Sequence, residues 1–270
     1  MENFQDNSKN NFVAKKSLGQ NFLHAPNIIS AMVHAGKILP ENIVFEVGPG
    51  KGALTSKLLE TGVHVIAVEK DDRAIPFLQE KFANEIKKGQ LKIIHDDILL
   101  IDIEKENFLK NYIVIANIPY YITGEFMRKF LETKNQPLRI VVMVQKEVAK
   151  RIVDTKESIL SISVKIYGEP KYLTTVSRKL FRPIPNVDSA VLVIENISKK
   201  FLEGAKIDEK SFFEIIKAGF AHKRKVVIKN LEIKIPKETL ISIWEREGLD
   251  KNVRAEELSP EMWKRIIGNI

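Results

Sequence analysis

The stretch Phe45-Glu46-Val47-Gly48-Pro49-Gly50-Lys51-Gly52-Ala53-Leu54 decides the fold. A short apolar run ends in alternating glycines and then opens onto apolar residues at helical spacing, so it reads as strand, tight turn and helix. Glycine lets the backbone approach a ligand closely, and open α/β sheets bind ligands at the carboxyl ends of their strands. Gly48, Gly50 and Ala53 also fit the loose dinucleotide fingerprint G-x-G-x-x-G/A. Alone that match is weak, because a turn serving only helix packing has the same pattern. Glu69 closes the next apolar run, where a carboxylate accepts both hydroxyls of a ribose. The pair points to an adenosine-containing cofactor without choosing between NAD and S-adenosylmethionine.

Outward from this turn, apolar runs alternate with helix-like stretches. The pattern predicts strands over Ile43–Val47, Val63–Glu69, Leu91–His95, Tyr112–Ala116, Leu138–Val144, Tyr172–Val176 and Val187–Ile194. Runs such as Ile113-Val114-Ile115-Ala116 are apolar throughout, as in strands covered on both faces. Helices are predicted over Leu54–Leu59 and Ala74–Phe82, with Gly62 and Gly89 where they end. The expected class is α/β, an open and mainly parallel sheet wrapped by helices. After Ile194 the texture becomes Lys- and Glu-rich helix with no further convincing strand. Phe212, Phe213, Ile216 and Phe220 mark one apolar stripe, and Leu240, Ile243 and Trp244 another. This places a division between residues 1–197 and a small helical domain over 198–270.

The 270 residues carry 43 Lys+Arg against 35 Asp+Glu, a net charge of +8, which favours a polyanionic partner. Residues 198–270 hold only half of that excess, so the charge is not confined to the helical part. Cysteine is absent, which excludes thiol nucleophiles, disulfides and thiolate zinc sites and makes a reducing compartment, the cytoplasm, the natural home. The polar start, Met1 to Asn11, has no apolar core of a signal peptide or membrane anchor, and its composition is that of a disordered arm. The five histidines have no metal-ligand spacing, so no metal is expected.

Between the two cofactors, Ala116-Asn117-Ile118-Pro119-Tyr120 decides. It reads as N-[ILP]-P-[YF] at the end of the fourth predicted strand, and a nicotinamide enzyme has no general need for it. Methylation of an exocyclic base amine does need it. The N6 lone pair of adenine is delocalised into the ring, so two acceptors, the Asn117 side-chain oxygen and the Ile118 carbonyl, would hold both N6 hydrogens and favour a pyramidal nitrogen. Pro119 stiffens the turn and Tyr120 offers a face for an extracted base.

At this point the chain resembles the ribosomal-RNA adenine N6,N6-dimethyltransferases, in particular their small-subunit (16S) branch, from about Lys15 to Leu258. The resemblance is carried by Ser17-Leu18-Gly19-Gln20-Asn21-Phe22-Leu23, the Glu46 to Gly52 turn, Glu69, Asp96-Asp97, Asn117 to Tyr120, Gln145-Lys146-Glu147-Val148, Phe181-Arg182-Pro183-Ile184-Pro185-Asn186-Val187-Asp188-Ser189-Ala190 and Arg254-Ala255-Glu256. It implies a Rossmann-like seven-stranded S-adenosylmethionine-dependent methyltransferase fold, six strands parallel and one antiparallel, with a C-terminal all-α domain that grips RNA. Asn21 and Leu23 would lie beside the cofactor, Gly48 and Gly50 under its methionine part, Glu69 at its ribose, Asp97 at its adenine amino group and Ile98 against that ring. Asn117 would face both donor and target nitrogen, while Tyr120 and Phe181 would sandwich the target adenine. The implied reaction dimethylates two adjacent adenosines near the 3′ end of 16S rRNA during small-subunit assembly, by a monomer.

Simpler readings stand beside these. Asp97 also suits a turn or helix cap, and most phenylalanines, Phe181 included, belong to a core. Lys146, Lys150 and Arg151 at helical spacing, and Lys223, Arg224 and Lys225, fit either a solvated face or phosphate contacts. The chain departs from the family where Asn-Leu-Pro-Tyr-Asn-Ile-Ser is common, having Asn117-Ile118-Pro119-Tyr120-Tyr121-Ile122-Thr123, and where Glu157-Ser158-Ile159-Leu160 and Ile228-Lys229-Asn230 replace family patterns. Alternatives are a 23S rRNA adenine methyltransferase of the macrolide-resistance kind, a non-catalytic ribosome-assembly factor, and an NAD-dependent reductase.

Overall fold

The computed structural model describes residues 13–105, 110–203, 208–222 and 224–270, so the N-terminal stretch read as a disordered arm and Lys223 lie outside the described residues. In chain order the strands are β1 (Phe22–Leu23), β2 (Ile43–Val47), β3 (His64–Glu69), β4 (Leu91–His95), β5 (Tyr112–Asn117), β6 (Arg139–Gln145), β7 (Glu169–Val176), β8 (Phe181–Arg182) and β9 (Ser189–Glu195). The helices are α1 (Pro26–Ala35), α2 (Ala53–Leu59), α3 (Ala74–Lys81), α4 (Ala83–Lys87), α5 (Thr123–Leu131), α6 (Lys146–Val153), α7 (Ile159–Lys165), α8 (Glu209–Gly219), α9 (Val227–Leu231), α10 (Lys237–Glu247) and α11 (Pro260–Gly268).

Seven strands form one sheet in the order β4-β3-β2-β5-β6-β9-β7. β2 pairs in parallel with both β3 and β5, and β9 runs antiparallel between β6 and β7. The expected six parallel strands and one antiparallel strand are therefore present. From β2 the chain first builds outward through β3 and β4 and then returns to build β5 and β6 on the other side. That reversal opens a crevice at the carboxyl ends of β2 and β5, where such sheets bind ligands.

Side chains alternate between the two faces. Phe45, Val47, Val114 and Val142 enter one apolar cluster, while Val44, Ile113, Ile115 and Val141 enter the other. Because both faces are covered, β5 is buried from Tyr112 to Ala116, which explains its unbroken apolar sequence. The first cluster continues without a break into Phe212, Trp244 and Trp263. Helices α8 to α11 thus extend one face of the sheet's core.

Most strand boundaries fall within one residue of the sequence reading, and two strand starts differ by more. β7 begins at Glu169 and contains Pro170, where the sequence predicted a start at Tyr172. The strand pairs only with β9, and an edge strand tolerates a proline that lacks its N–H. β9 begins at Ser189 because residues 183–188 form a proline-containing loop, in which the Asp188 carboxylate accepts from the Arg178 N–H at 3.0 Å. No sequence signal marks β1 and β8, two residues each, which pair Phe22 with Arg182 and Leu23 with Phe181. Two residues are too few to show a period.

Candidate active site

A cleft of about 220 Å³ opens at the crevice. The segment Leu18–His24, the glycine turn, the ends of β3 and β5, residues 96–99 and residues 117–122 line it. Asn21, Leu23, Gly48, Gly50, Glu69, Asp97, Ile98, Asn117, Ile118, Pro119 and Tyr120 all reach it, so the structure gathers eleven residues singled out from sequence.

The glycine turn needs its glycines. Gly48 and Gly50 have φ of +71° and +54°, a region that penalises any Cβ. A Cβ at Gly50 would also stand 2.9 Å from the Phe22 ring, whereas one at Gly48 would meet nothing nearer than the Asn117 carbonyl oxygen at 3.6 Å. Space above Gly48 is therefore open toward β5. Glu69, 6% exposed, braces the turn from β3: its Oε2 accepts from the Gly50 N–H at 3.0 Å and its Oε1 from the Asp71 N–H at 2.8 Å. Burial raises the Glu69 carboxyl above the ordinary range, and these backbone donors pull it back. One lone pair of each oxygen is spoken for on the protein side.

Asp97 follows β4. Its Oδ2 accepts from Lys70 Nζ at 2.6 Å and its Oδ1 from the Leu99 N–H at 3.0 Å. Burial pushes this carboxyl up, but the ammonium and the amide outweigh it and the net shift is downward. Ile98 beside it is 5% exposed and supplies an apolar wall.

Across the cleft, Asn117 ends β5. Its Nδ2 donates to the Asn21 carbonyl at 3.5 Å, while the Asn21 side chain donates to the Gly19 carbonyl at 3.1 Å. The first of these bonds ties the amide nitrogen of this cleft-lining residue to the N-terminal segment. Ile118 is 3% exposed and Pro119 leads into a 3-10 turn over Tyr120–Ile122. The Tyr120 hydroxyl sits 2.6 Å from Ser189 Oγ on β9, which fixes its ring.

Phe181 corrects the sequence reading. It is 1% exposed, belongs to the apolar cluster with Leu23 and Val176, and does not line the cleft. Pairing of β8 with β1 turns its side chain into the core, so neither ring face is open to a base. The basic residues divide. Lys146, Lys150 and Arg151 lie on α6, which starts at the carboxyl end of β6 beside β5, and the Lys146 N–H donates to the Asp188 carbonyl at 3.0 Å. Arg224 and Lys225 are exposed between α8 and α9, and neither lines the cleft.

Several residues of the site escaped the sequence reading. Asp71, 2% exposed, accepts from Arg73 Nη2 at 2.6 Å and from Gln20 Nε2 at 2.7 Å, and Arg73 Nη1 reaches the Val13 carbonyl at 3.1 Å. Asp71 thereby fastens the N-terminal segment across the cleft, and the guanidinium holds its carboxyl at about 2. Glu46 is 0% exposed, and neither carboxylate oxygen has a hydrogen-bond partner among the described residues. Burial pushes this carboxyl up to about 8, with Thr55 and Lys81 opposing and Glu69 adding to the rise. An acid inside a strand that is otherwise apolar was the available signal. Lys81 caps the glycine turn, donating to the Lys51 carbonyl at 2.9 Å.

Residues 11–270 match the family model described as ribosomal RNA adenine dimethylase. The ribosomal RNA small subunit methyltransferase A of Dehalococcoides mccartyi strain CBDB1 is 41% identical over 262 residues, covering 94% of this chain and 87% of that protein. The protein of the same name from Bacillus cereus strain B4264 is 39% identical over 267 residues, covering 94% and 90%. Among solved structures, a dimethyladenosine transferase from Plasmodium falciparum superposes with a TM-score of 0.75 at 23% identity, covering 91% of this chain and 95% of that one. The 23S rRNA methyltransferase ErmE gives 0.74 at 23% identity, covering 92% and 99%. Those two similarities establish the Rossmann-like methyltransferase fold. With the family model spanning nearly the whole chain and relatives near 40% identity, this protein belongs to the ribosomal RNA adenine dimethylase family.

Proposed function

We propose that this protein dimethylates N6 of two adjacent adenosines near the 3′ end of 16S rRNA, using S-adenosylmethionine, on a small-subunit assembly intermediate in the cytoplasm. It works as a monomer, with residues 1–197 carrying the chemistry and 198–270 helping to hold RNA. The observation that carries this reading is Asn117. It lines the cleft at the end of β5, its amide nitrogen donates to the Asn21 carbonyl at 3.5 Å, and its backbone carbonyl is the nearest group, at 3.6 Å, to a Cβ placed on Gly48.

The residues present fit the cofactor. Gly48 offers close backbone approach without a side chain, Glu69 presents its remaining lone pairs to ribose hydroxyls, and Asp97 with Ile98 offers an acceptor beside an apolar wall for an adenine. When bound, S-adenosylmethionine supplies an electrophilic methyl group on a positively charged sulfur. The chain's part is to hold and desolvate the other reactant. Asn117 Oδ1 and the Ile118 carbonyl accept the two N6 hydrogens, which withdraws the nitrogen lone pair from the adenine ring and aims it. Tyr120, fixed by Ser189, supports the base face. The glycine turn and the fastened segment Leu18–His24 shield the cleft from water. No base is needed before attack, because N6 becomes cationic on gaining the methyl group and then releases its proton to solvent.

Labelled methyl transfer to small subunits lacking the modification, with large subunits and naked 23S rRNA in parallel, tests the proposal. Dimethyladenosine confined to 16S rRNA is the expected product. Label in 23S rRNA would relocate the activity, and no label despite intact subunit binding would support a non-catalytic assembly factor. Asn117→Ala should lose about 100- to 1000-fold in turnover while S-adenosylhomocysteine still binds, the scale seen on deleting one preorganised polar group at a reacting centre.

A further inference from the structure

Tyr121 has no role so far. It occupies the middle of the 3-10 turn Tyr120–Ile122, between Tyr120, whose hydroxyl is held by Ser189, and Ile122, which is 8% exposed. Three residues per turn send successive side chains a third of a rotation apart, so with both neighbours engaged inward the middle one points out. Tyr121 is 64% exposed and still lines the cleft, placing it at the mouth. One edge of the ring is supported: a Cβ built on Gly19 would lie 3.2 Å from its Cε1 and 3.4 Å from its Cδ1.

This arrangement contributes little to the fold, since most of the ring remains in water. It has the features of a nucleotide platform: a stiff aromatic side chain, braced along one edge and open elsewhere, with the acceptor Asn117 four residues away. Phe181 is buried, so Tyr120 and Tyr121 are the two tyrosine rings available at the cleft. Tyr120 is fixed inward, where the target base would sit.

We propose that Tyr121 is a substrate-binding residue on which the RNA base flanking the target adenosine stacks, holding the strand in register while the target lies against Tyr120. This rests on the adenine-methylation reading above and adds a second nucleotide contact to it.

Tyr121→Ala should raise KM for unmodified small subunits about 5- to 30-fold, about 1–2 kcal/mol at about 1.4 kcal/mol per tenfold, with kcat and S-adenosylhomocysteine affinity within about twofold. Tyr121→Phe should restore KM, since the face and not the hydroxyl carries the stack, and Tyr121→Asn should behave as Ala. A 16S 3′-end RNA fragment with 2-aminopurine beside the target adenosine gives a readout that needs no methyl transfer. Its fluorescence should be quenched on binding the wild type and the Phe variant and much less on binding the Ala variant. Unchanged KM and equal quenching in the Ala variant would overturn the proposal. A parallel loss of S-adenosylhomocysteine affinity would also overturn it, assigning the ring as a cover over the cofactor. If the wild type transfers no methyl group to rRNA, the activity reading fails, and the fluorescence comparison still decides the stack.

Discussion

The two walls of the cleft are built differently. On the β2–β3 side the carboxylates that line the cleft and the turn carbonyls are held in place: Glu69 by two amides, Asp97 by Lys70 and the Leu99 amide, and the carbonyls of Lys51 and Gly52 by Lys81. On the β5–β9 side one tyrosine is pinned, the next is 64% exposed, and Arg182 of β8 with Ile184 and Val187 of the loop before β9 face solvent. A small cofactor of constant shape favours a preorganised wall, because its binding cost falls as fewer groups must be ordered. A long RNA delivers its base from outside and requires open faces. On the proposed function, the contrast teaches how one cleft would serve a small guest on one side and an arriving strand on the other.

Substitutions that break this contrast should separate stability, cofactor binding and RNA capture. The largest effect is expected at Phe181. As a fully buried ring, Phe181→Ala should cost about 3–5 kcal/mol of unfolding free energy in urea titrations. RNA affinity of the fraction still folded should be nearly unchanged, whereas a stacking residue would show the reverse. Next, Glu69→Gln places an amide where both oxygens now accept N–H groups, so a donor must face a donor. Calorimetric titration should show S-adenosylhomocysteine binding weakened about 10- to 100-fold, while RNA binding alone stays within about twofold.

Glu46 gives a pH test of the rigid wall. In the fold its carboxyl is held near 8 against 4.5 ordinarily, so between those values the folded chain keeps a proton that the unfolded chain has lost. Stability should therefore fall as pH rises from about 4.5 to about 8 and level off above. Glu46→Gln should flatten that slope and be the more stable protein at pH 8 by about 1–3 kcal/mol, read from melting curves at pH 5 and pH 8. The smallest effects belong to the cations. Lys150→Ala with Arg151→Ala should lower the salt dependence of RNA binding by about one unit of slope per lost phosphate contact, and Arg224→Ala with Lys225→Ala provides the comparison farther from the cleft.

Much of the rigid wall was legible in the sequence. Gly48 and Gly50 had to be glycines because their φ values exclude side chains, and Glu69 and Asp97 had to be acids at strand ends to meet polar hydrogens. Strand identities followed from apolar runs that both faces of the sheet demand. The open wall was less legible. Phe181 and Tyr121 are both aromatic residues in loop-rich surroundings, and no local pattern says which one turns inward. The Gln20–Asp71–Arg73 fastening joins residues 51 positions apart and has no period to reveal it.

By itself, then, the sequence determined the parallel sheet, the glycine turn, and the chemical types gathered at the strand ends, because these depend on backbone permission, periodicity and the identity of polar atoms. Tertiary structure decided which rings are buried, how the N-terminal segment is strapped down, and that the C-terminal helices share the sheet's apolar cluster. Those outcomes depend on which surfaces meet after folding: the two-residue pairing of β1 with β8 buries Phe181, and the 3-10 turn leaves Tyr121 in water.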